Sequence, residues 1–249
     1  MMRVILSPAK QMTADDVLPP TALPALLDKT ERLLAALRAL ERPALKKLLA
    51  CNEALASAAF TDLARLQPRR LAALTPALFA YHGIQYKYMA PGVFTEEELA
   101  YVQRHVRILS GLYGVLRPFD GVGPYRLEMQ AKLSVDGCKD LYAFWGGDLV
   151  RQVAGDGAEA VVDLASAEYS RAVMPHLPVG VRRVKCVFGQ RLGGKTVEKG
   201  VYVKMARGEM VRWMAAVGAQ RPEDLREFTG QGYAFRPELS GEDTYVFIK

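Results

Sequence analysis

The 249-residue sequence predicts a mixed α/β protein that forms one domain over residues 1–249. Short apolar runs typical of strands recur along the chain, beginning with residues 3–6. Between them lie segments whose apolar residues recur every three or four positions, most clearly over 24–57. Strands and helices alternate irregularly, which disfavours a regular βαβ repeat and a doubly wound sheet. A content of 50% hydrophobic and 24% charged residues is that of an ordinary globular chain.

The N-terminal run places a lysine beyond the end of a strand. Ser7-Pro8 stops the run at 3–6, so Lys10 is expected in a loop at the carboxyl end of that strand, where ligand sites often form. The segment 24–57 then carries leucines on one helical face, and Pro43 begins its second helix.

Capping residues predict two helices in the middle of the chain. Thr95 and Glu98 form a capping box that opens a helix, whose apolar stripe continues to Leu109, just before Ser110-Gly111. Asp140 caps a second helix. Its expected core residues are Leu141, Phe144, Trp145, Leu149 and Val153. Further strands are expected at about 159–165, 182–189, 196–204 and 243–248, with a helix near 207–217.

Residues 189–196 match the phosphate-binding pattern G-x-x-x-x-G-K-[ST], but their context predicts a hairpin. In a P-loop the lysine opens a helix whose N-terminus holds phosphate. Here the residues after Lys195 alternate as in a strand, and 184–188 indicate another strand before the pattern. Gly193-Gly194 suits the tight turn between them. We therefore expect no ATP hydrolysis at this pattern.

Ser7 and Lys10 match Ser-x-x-Lys, which in penicillin-binding enzymes pairs a nucleophile with an activating lysine. The sequence contains neither of the partner motifs of those enzymes, and Pro8 indicates a loop at the end of a strand. A phosphate contact by Lys10, or a lysine without any ligand, is expected instead of acyl transfer.

The charge balance favours polyanionic partners. Lys and Arg number 33 against 27 Asp and Glu, which gives a net charge of +6 and a pI near 9.2. No apolar run is long enough to span a membrane or serve as a signal peptide, so a cytoplasmic location is expected. Three unpaired cysteines and three scattered histidines indicate neither a disulfide framework nor a metal site.

Two neighbouring segments, 109–118 and 124–129, concentrate glycines, aromatic residues and arginines. Glycines let the backbone approach a ligand, and arginines fork onto phosphate or carboxylate oxygens, so the pair of segments indicates a surface for anions. Gly111 and Gly114 fit either an ordinary tight turn or the hairpin of a helix-hairpin-helix, in which backbone N–H groups grip a DNA phosphate.

Motifs spread over nearly the whole chain carry a family resemblance. They are LSPAK at 6–10, LSGLYGVLRP at 109–118, PYRLEM at 124–129, KDLYAFWG at 139–146, DLASAEY at 163–169, KMARG at 204–208 and GYAF at 232–235. With these motifs the sequence resembles the bacterial YaaA peroxide-stress-resistance family. The resemblance implies a cantaloupe-like fold with a helix-hairpin-helix element and a positively charged cleft. It also implies a role in resistance to hydrogen peroxide, associated with lowering unincorporated iron.

The resemblance and the basic charge together predict a cytoplasmic, monomeric DNA-binding protein that protects DNA during oxidative stress without a cofactor. Binding should depend on phosphates and be largely independent of base sequence. No Glu-x-x-His cluster of an iron-storage protein is present, so direct sequestration of iron is not expected. The residues expected to bind DNA are Lys10, Gly111, Gly114, Arg117, Arg126, Lys204, Arg207 and Arg212.

An enzyme that acts on a nucleotide, nucleobase or similar small molecule in the same cleft is the alternative. Its candidate residues are Ser7, Lys10, Arg126, Glu128, Ser166, Glu168 and Lys204. A protein that binds only the DNA backbone has no need for the acids in this set. Internal ion pairs that merely fix the fold, such as Arg126 with Glu168 or Glu128 with Lys204 or Arg207, are the structural explanation of the same residues.

Overall fold

The computed structural model describes residues 1–14, 18–155 and 157–249. Its strands are β1 (Met2–Leu6), β2 (Gln11–Met12), β3 (Thr75–Pro76), β4 (Tyr81–His82), β5 (Val106–Ser110), β6 (Gly114–Leu116), β7 (Gly121–Val122), β8 (Ala160–Leu164), β9 (Arg182–Leu192), β10 (Lys195–Val197), β11 (Ala234–Phe235) and β12 (Thr244–Ile248). Its α-helices are α1 (Leu27–Arg38), α2 (Arg42–Leu49), α3 (Glu53–Arg65), α4 (Ala77–Ala80), α5 (Ile84–Met89), α6 (Glu96–His105), α7 (Leu141–Trp145), α8 (Gly147–Ala154), α9 (Ala167–Ser170) and α10 (Gly200–Val217). The mixed α/β class is confirmed. Among the residues described, no helix has the length and apolar content needed to cross a membrane.

A mainly parallel sheet forms the centre of the molecule. Its strand order is β11-β12-β9-β8-β1-β5-β6, with β10 paired to β9. The strands from β12 to β5 run parallel to their neighbours, whereas β11 and β6 pair antiparallel at the two edges. Every residue of β1, β5 and β8 is buried, as expected of parallel strands covered on both faces. The irregular alternation of elements in the sequence did not indicate this parallel pairing.

The predicted caps are confirmed. Thr95 Oγ1 accepts a hydrogen bond from the Glu98 N–H, and Glu98 Oε2 accepts one from the Thr95 N–H at 2.8 Å. Asp140 Oδ1 accepts from the Ala143 N–H at 2.8 Å and opens α7. The core residues expected in this region are all buried: Leu141, Phe144, Trp145, Leu149 and Val153.

The helix opened by Thr95 is shorter than predicted. It ends at His105, and the next five residues form the buried strand β5. Pairing with β1 makes this run part of the sheet, so its β-branched and apolar residues pack on two faces of a strand. The chain then turns back antiparallel into β6, with Ser110 opposite Gly114. A β-hairpin therefore occupies the residues at which a helix-hairpin-helix was predicted.

The strand predicted over 196–204 is wrong beyond Val197. There β10 ends, and α10 begins at Gly200 and continues through the helix expected near 207–217. Buried residues of α10 recur at helical spacing: Val203, Ala206, Met210, Val211 and Met214. This apolar face packs into the core, and its period prevails over the short alternation at the start of the segment.

The hairpin predicted around Gly193-Gly194 is confirmed. Strand β10 pairs antiparallel with β9, with Thr196 opposite Arg191. Both glycines have positive φ angles, 55° and 77°, which suit a two-residue hairpin turn. Lys195 begins a strand and not a helix, so the P-loop pattern here lacks the helix N-terminus that holds phosphate.

Candidate functional site

The carboxyl ends of β1 and β8 meet near the middle of the sheet. The chain passes from β1 to β5 on one side of β1 and later to β8 on its other side, so the strand order reverses between β1 and β8. Open α/β sheets bind ligands outside the carboxyl ends of the strands at such a reversal. A cavity of about 460 Å³ lies at this point, within the size range of pockets that enclose small molecules.

Segments that are distant in sequence line this cavity: the loop after β1, residues 82–86, residues 125–128, the segment after β8, and α10. The candidates predicted from sequence that line it are Ser7, Lys10, Arg126, Glu128, Ser166, Glu168, Lys204 and Arg207. Every candidate residue of the enzyme hypothesis thus lines the cavity, and so do four of the residues expected to bind DNA. The fold, and not any local motif, brings them together.

Two serines join the loops that follow β1 and β8. The Ser166 N–H donates to Ser7 Oγ at 2.8 Å, and Ser7 Oγ donates to Ser166 Oγ at 3.1 Å. The Tyr86 hydroxyl donates to the Ser7 carbonyl at 3.0 Å and fixes this loop from the side of α5. The serine hydroxyls are therefore held at the cavity wall, where they can hydrogen-bond to the oxygens of an anionic ligand.

Glu128 lies between two cations of the cavity. Lys10 Nζ is 2.8 Å and Arg126 Nη2 is 3.4 Å from the same atom, Glu128 Oε1. The Lys10 side chain is 65% exposed and that of Arg126 only 16%, so the lysine lies at the rim and the arginine in the wall. These ion pairs differ from those considered on sequence grounds, which joined Arg126 to Glu168 and Glu128 to Lys204 or Arg207.

Glu168 lies next to Glu128 and has a raised pKa. Burial is the main cause of the shift and the negative charge of Glu128 adds to it, while hydrogen bonds from backbone N–H groups oppose it. One of these bonds runs from the Gln130 N–H to Glu168 Oε1 at 3.2 Å. A carboxylate with a raised pKa in a cavity is a candidate for proton transfer or for binding N–H donors of a ligand.

Helix α10 carries Arg207 into the cavity. Its neighbour Gly208 lies against α5 so closely that an added Cβ would be 1.9 Å from the Gln85 carbonyl oxygen. This approach brings the flank of α10 to the wall formed by residues 82–86. Lys204, one turn earlier, is exposed, whereas Arg207 is half-buried. Lys204 therefore places its ammonium group at the rim of the cavity, and Arg207 places its guanidinium group inside it.

Arg207 faces a buried acid behind the cavity. Burial lowers the pKa of its guanidinium, and the negative charge of Asp163 opposes that shift. Asp163 is 4% exposed and accepts hydrogen bonds from the Ala165 N–H at 2.9 Å and the Ser170 hydroxyl at 2.5 Å. Burial raises the Asp163 pKa. Arg207 Nε is buried and has no hydrogen-bond partner within the part of the chain that the structure describes.

Tyrosines form much of the remaining wall: Tyr86, Tyr125 and Tyr169. The Tyr125 hydroxyl lies 2.8 Å from that of Tyr81 and 2.7 Å from Ser110 Oγ, and burial raises the pKa of Tyr125 to about 12. Sequence reasoning did not select these residues. Tyr125 and Tyr169 lie inside the singled-out segments PYRLEM and DLASAEY, but no sequence signal marked Tyr86.

Four residues of the predicted DNA set lie outside the cavity lining: Gly111, Gly114, Arg117 and Arg212. Gly111 and Gly114 are buried in the β5–β6 hairpin. A Cβ on Gly111 would be 2.4 Å from the Leu127 carbonyl oxygen, and the Trp145 indole N–H donates to the Gly111 carbonyl at 3.0 Å. The structure thus gives Gly111 a packing role, because it lets the hairpin lie against the segment that carries Arg126 and Glu128.

Arg117 and Arg212 are exposed at other places. Strand β6 runs back from the carboxyl edge of the sheet, so Arg117 lies away from the cavity. Arg212 lies on α10 eight residues after Lys204, about 12 Å further along the helix axis. Within the described ranges, the three cysteines are free and no three side chains of His, Cys, Asp or Glu are grouped to hold a metal ion.

Similarity to known proteins extends over the whole chain. The profile of the family described as peroxide stress protein YaaA matches residues 2–239. The chain belongs to the YaaA family. A UPF0246 protein of Desulfitobacterium hafniense is 48% identical over all of this chain and 98% of the relative. UPF0246 proteins of Pediococcus pentosaceus and Agathobacter rectalis are 45% and 44% identical, over 100% and 99% of this chain and 98% of each relative.

Membership of the YaaA family supports a role in peroxide stress. The matched range 2–239 includes every residue that lines the cavity.

Proposed function

We propose that this YaaA-family protein acts in peroxide stress by binding DNA at the cavity, which takes up one unpaired nucleotide while the rim contacts neighbouring phosphates. The observation that carries the proposal is the convergence of four cations, Lys10, Arg126, Lys204 and Arg207, on one cavity at the strand-order reversal. Cations that converge in this way are suited to the phosphates of a nucleic acid.

The depth of the arginines favours an unpaired nucleotide over an intact duplex. Arg126 and Arg207 each have a buried Nε without a hydrogen-bond partner among the described residues. A duplex lying on the surface reaches the exposed lysines at the rim, but its backbone cannot enter a cavity of about 460 Å³. Proteins that read single nucleotides take them out of the stack into such pockets, with tyrosine faces and polar groups around the base.

Exposed arginines outside the cavity extend the proposed DNA surface. Arg212 lies on the same helix as Lys204 and, like it, is exposed to solvent. Contacts of this kind add affinity without sequence preference. The helix-hairpin-helix is not part of the proposal, because Gly111 and Gly114 lie inside a β-hairpin.

Binding of a fluorescent single-stranded oligonucleotide tests the proposal. Arg126→Ala and Arg207→Ala should each weaken binding by about 1–3 kcal/mol, because each removes a charge-assisted contact. Arg221→Ala is the matched control, since Arg221 is an exposed arginine beyond the far end of α10. The parent should prefer single-stranded or gapped DNA to an intact duplex of the same length. If both cavity variants lower only the melting temperature and leave affinity unchanged, the arginines serve the fold and the proposal is wrong.

An enzyme of nucleotides or nucleobases is the second candidate, favoured by one observation. Glu168 has a raised pKa next to Glu128 and shares the cavity with the paired hydroxyls of Ser7 and Ser166. Binding alone does not require an acid poised for proton transfer. Chromatography of deoxynucleotides incubated with the protein distinguishes the two candidates. Product formation that is lost in Glu168→Gln supports the enzyme, and intact nucleotides that nevertheless bind support the binding protein.

A further inference from the structure

The cavity has two ends of opposite character. At one end, Glu128 and Glu168 interact with each other and with Lys10. At the other end, Arg207 Nε is buried without a hydrogen-bond partner among the described residues. The acids whose charges act on Arg207 are Asp163 and Glu198, and neither cavity glutamate is among them. An anionic group of a ligand is therefore attracted to the Arg207 end, and the glutamate end calls for a ligand part that donates hydrogen bonds.

Resting on the proposed function, we infer that the glutamate end reads the base and selects guanine, whose adjacent N1–H and N2–H groups donate to Glu128 and Glu168 while the 5′-phosphate binds at Arg207. An ionised carboxylate accepts hydrogen bonds and donates none. Guanine presents two neighbouring donors on its Watson–Crick edge. Adenine and cytosine present one amino group beside a ring nitrogen lone pair, and thymine presents one N–H between two carbonyl oxygens, so each of these bases turns at least one acceptor toward the carboxylates.

The surroundings of the two acids support this assignment. Both cations that contact Glu128 use Oε1, and Glu168 Oε1 is oriented by the Gln130 N–H. The acids are thus fixed by the loop after β1 and by the 125–130 segment before any ligand enters. Carboxylates held in this way bind a base edge at little further cost in conformational entropy. Tyr125 and Tyr169 line the same cavity and provide aromatic side chains beside a bound base.

Calorimetric titration of the full chain with four free deoxynucleotides tests the inference. dGMP should bind at least about tenfold more tightly than dAMP, dCMP or dTMP, because the others leave charged acceptors unpaired. dIMP, which differs from dGMP only by the missing 2-amino group, should also bind about tenfold more weakly than dGMP. Glu128→Gln and Glu168→Gln, which keep side-chain size, should each remove most of the difference between dGMP and dIMP. Glu238→Gln, at an exposed glutamate on the far edge of the sheet, is the control.

A second arm locates the phosphate. Arg207→Ala should weaken dGMP binding about tenfold or more and leave the affinity for deoxyguanosine unchanged, since the nucleoside lacks the group that Arg207 holds. Equal affinity for all four nucleotides, with no effect of either glutamate variant, overturns the base-reading inference while nucleotide binding stands. Failure of the parent to bind both nucleotides and single-stranded DNA overturns the proposed function itself.

Discussion

Asp120 is a buried carboxylate in the turn between β6 and β7. Its Oδ2 accepts a hydrogen bond from the Arg117 N–H at 2.8 Å, and only 4% of the residue is exposed. Burial raises its pKa from 3.8 to about 6, and the Arg117 N–H and charge only partly oppose the shift. The folded protein therefore holds a proton on this acid more tightly than the unfolded chain does.

A pH dependence of stability follows from this shift. Because the folded pKa is the higher one, the stability contributed by Asp120 is full below pH 4 and is lost as the pH rises through about 6. Asp120→Asn keeps an acceptor for the Arg117 N–H and does not titrate. We expect the unfolding free energy of the parent, relative to that of Asp120→Asn, to fall by about 2–3 kcal/mol between pH 4 and pH 7. Urea unfolding at several pH values measures this difference, and a constant difference would contradict the assignment.

The sequence predicted the residues of the cavity better than their roles. Lys10, Arg126 and Glu128 stood out because charged groups beside glycine, proline and aromatic residues at element ends are not needed for packing. Gly111 shows the physical reason. A glycine that lets two backbones touch and a glycine that lets a backbone touch phosphate have the same local sequence, and only the neighbour at Leu127 tells them apart.

At the scale of elements, the β9–β10 hairpin contains the P-loop pattern at 189–196, but a hairpin lacks the helix N-terminus that binds phosphate in a P-loop. Lys195 is exposed and follows the turn at Gly193-Gly194. Lys195→Ala should therefore change the unfolding free energy and DNA affinity by no more than about 0.5 kcal/mol. Gly194→Ala, which puts a Cβ at a φ of 77°, should cost about 1 kcal/mol or more and serves as the contrasting variant. Thermal unfolding with and without Mg-ATP completes the test. If Mg-ATP raises the melting temperature of the parent but not that of Lys195→Ala, the pattern binds nucleotide and the hairpin interpretation is wrong.

Two elements were not predicted correctly because their structure depends on contacts with elements that are distant in sequence. Residues 106–110 follow a capped helix without any breaker, and they become a strand only because β1 offers a pairing edge. The start of α10 alternates like a strand for a few residues, yet its packing against α5 fixes it as a helix. The periodicity of apolar residues within one segment does not reveal that β1 pairs with residues 106–110 or that α5 packs against α10.

At the scale of the whole molecule, the order of the strands in the sheet is what the sequence did not predict. The strand-end positions of Lys10 and Ser166 follow from sequence, but the loops that carry them are adjacent only because β8 pairs with β1, which is distant along the chain: Leu6 lies opposite Leu164. Once that order is known, the reversal between β1 and β8 locates the cavity by a general rule of open α/β sheets. The fold class was thus accessible from the sequence, whereas the architecture that assembles the site was not.

The net charge of +6 sets the last expectation, which concerns the whole DNA-binding surface. Four cations at the cavity, together with exposed arginines such as Arg212, give room for about four to six phosphate contacts. Counterion release then predicts a slope of log K against log salt of roughly −3 to −4 on single-stranded DNA. The slope on an intact duplex should be shallower, because its backbone reaches only the lysines at the rim and the exposed arginines. Arg126→Ala should reduce the steepness by about one contact, whereas Arg221→Ala should leave it unchanged. Titrations at several salt concentrations give the slope, and a value near zero would mean that phosphates do not drive binding.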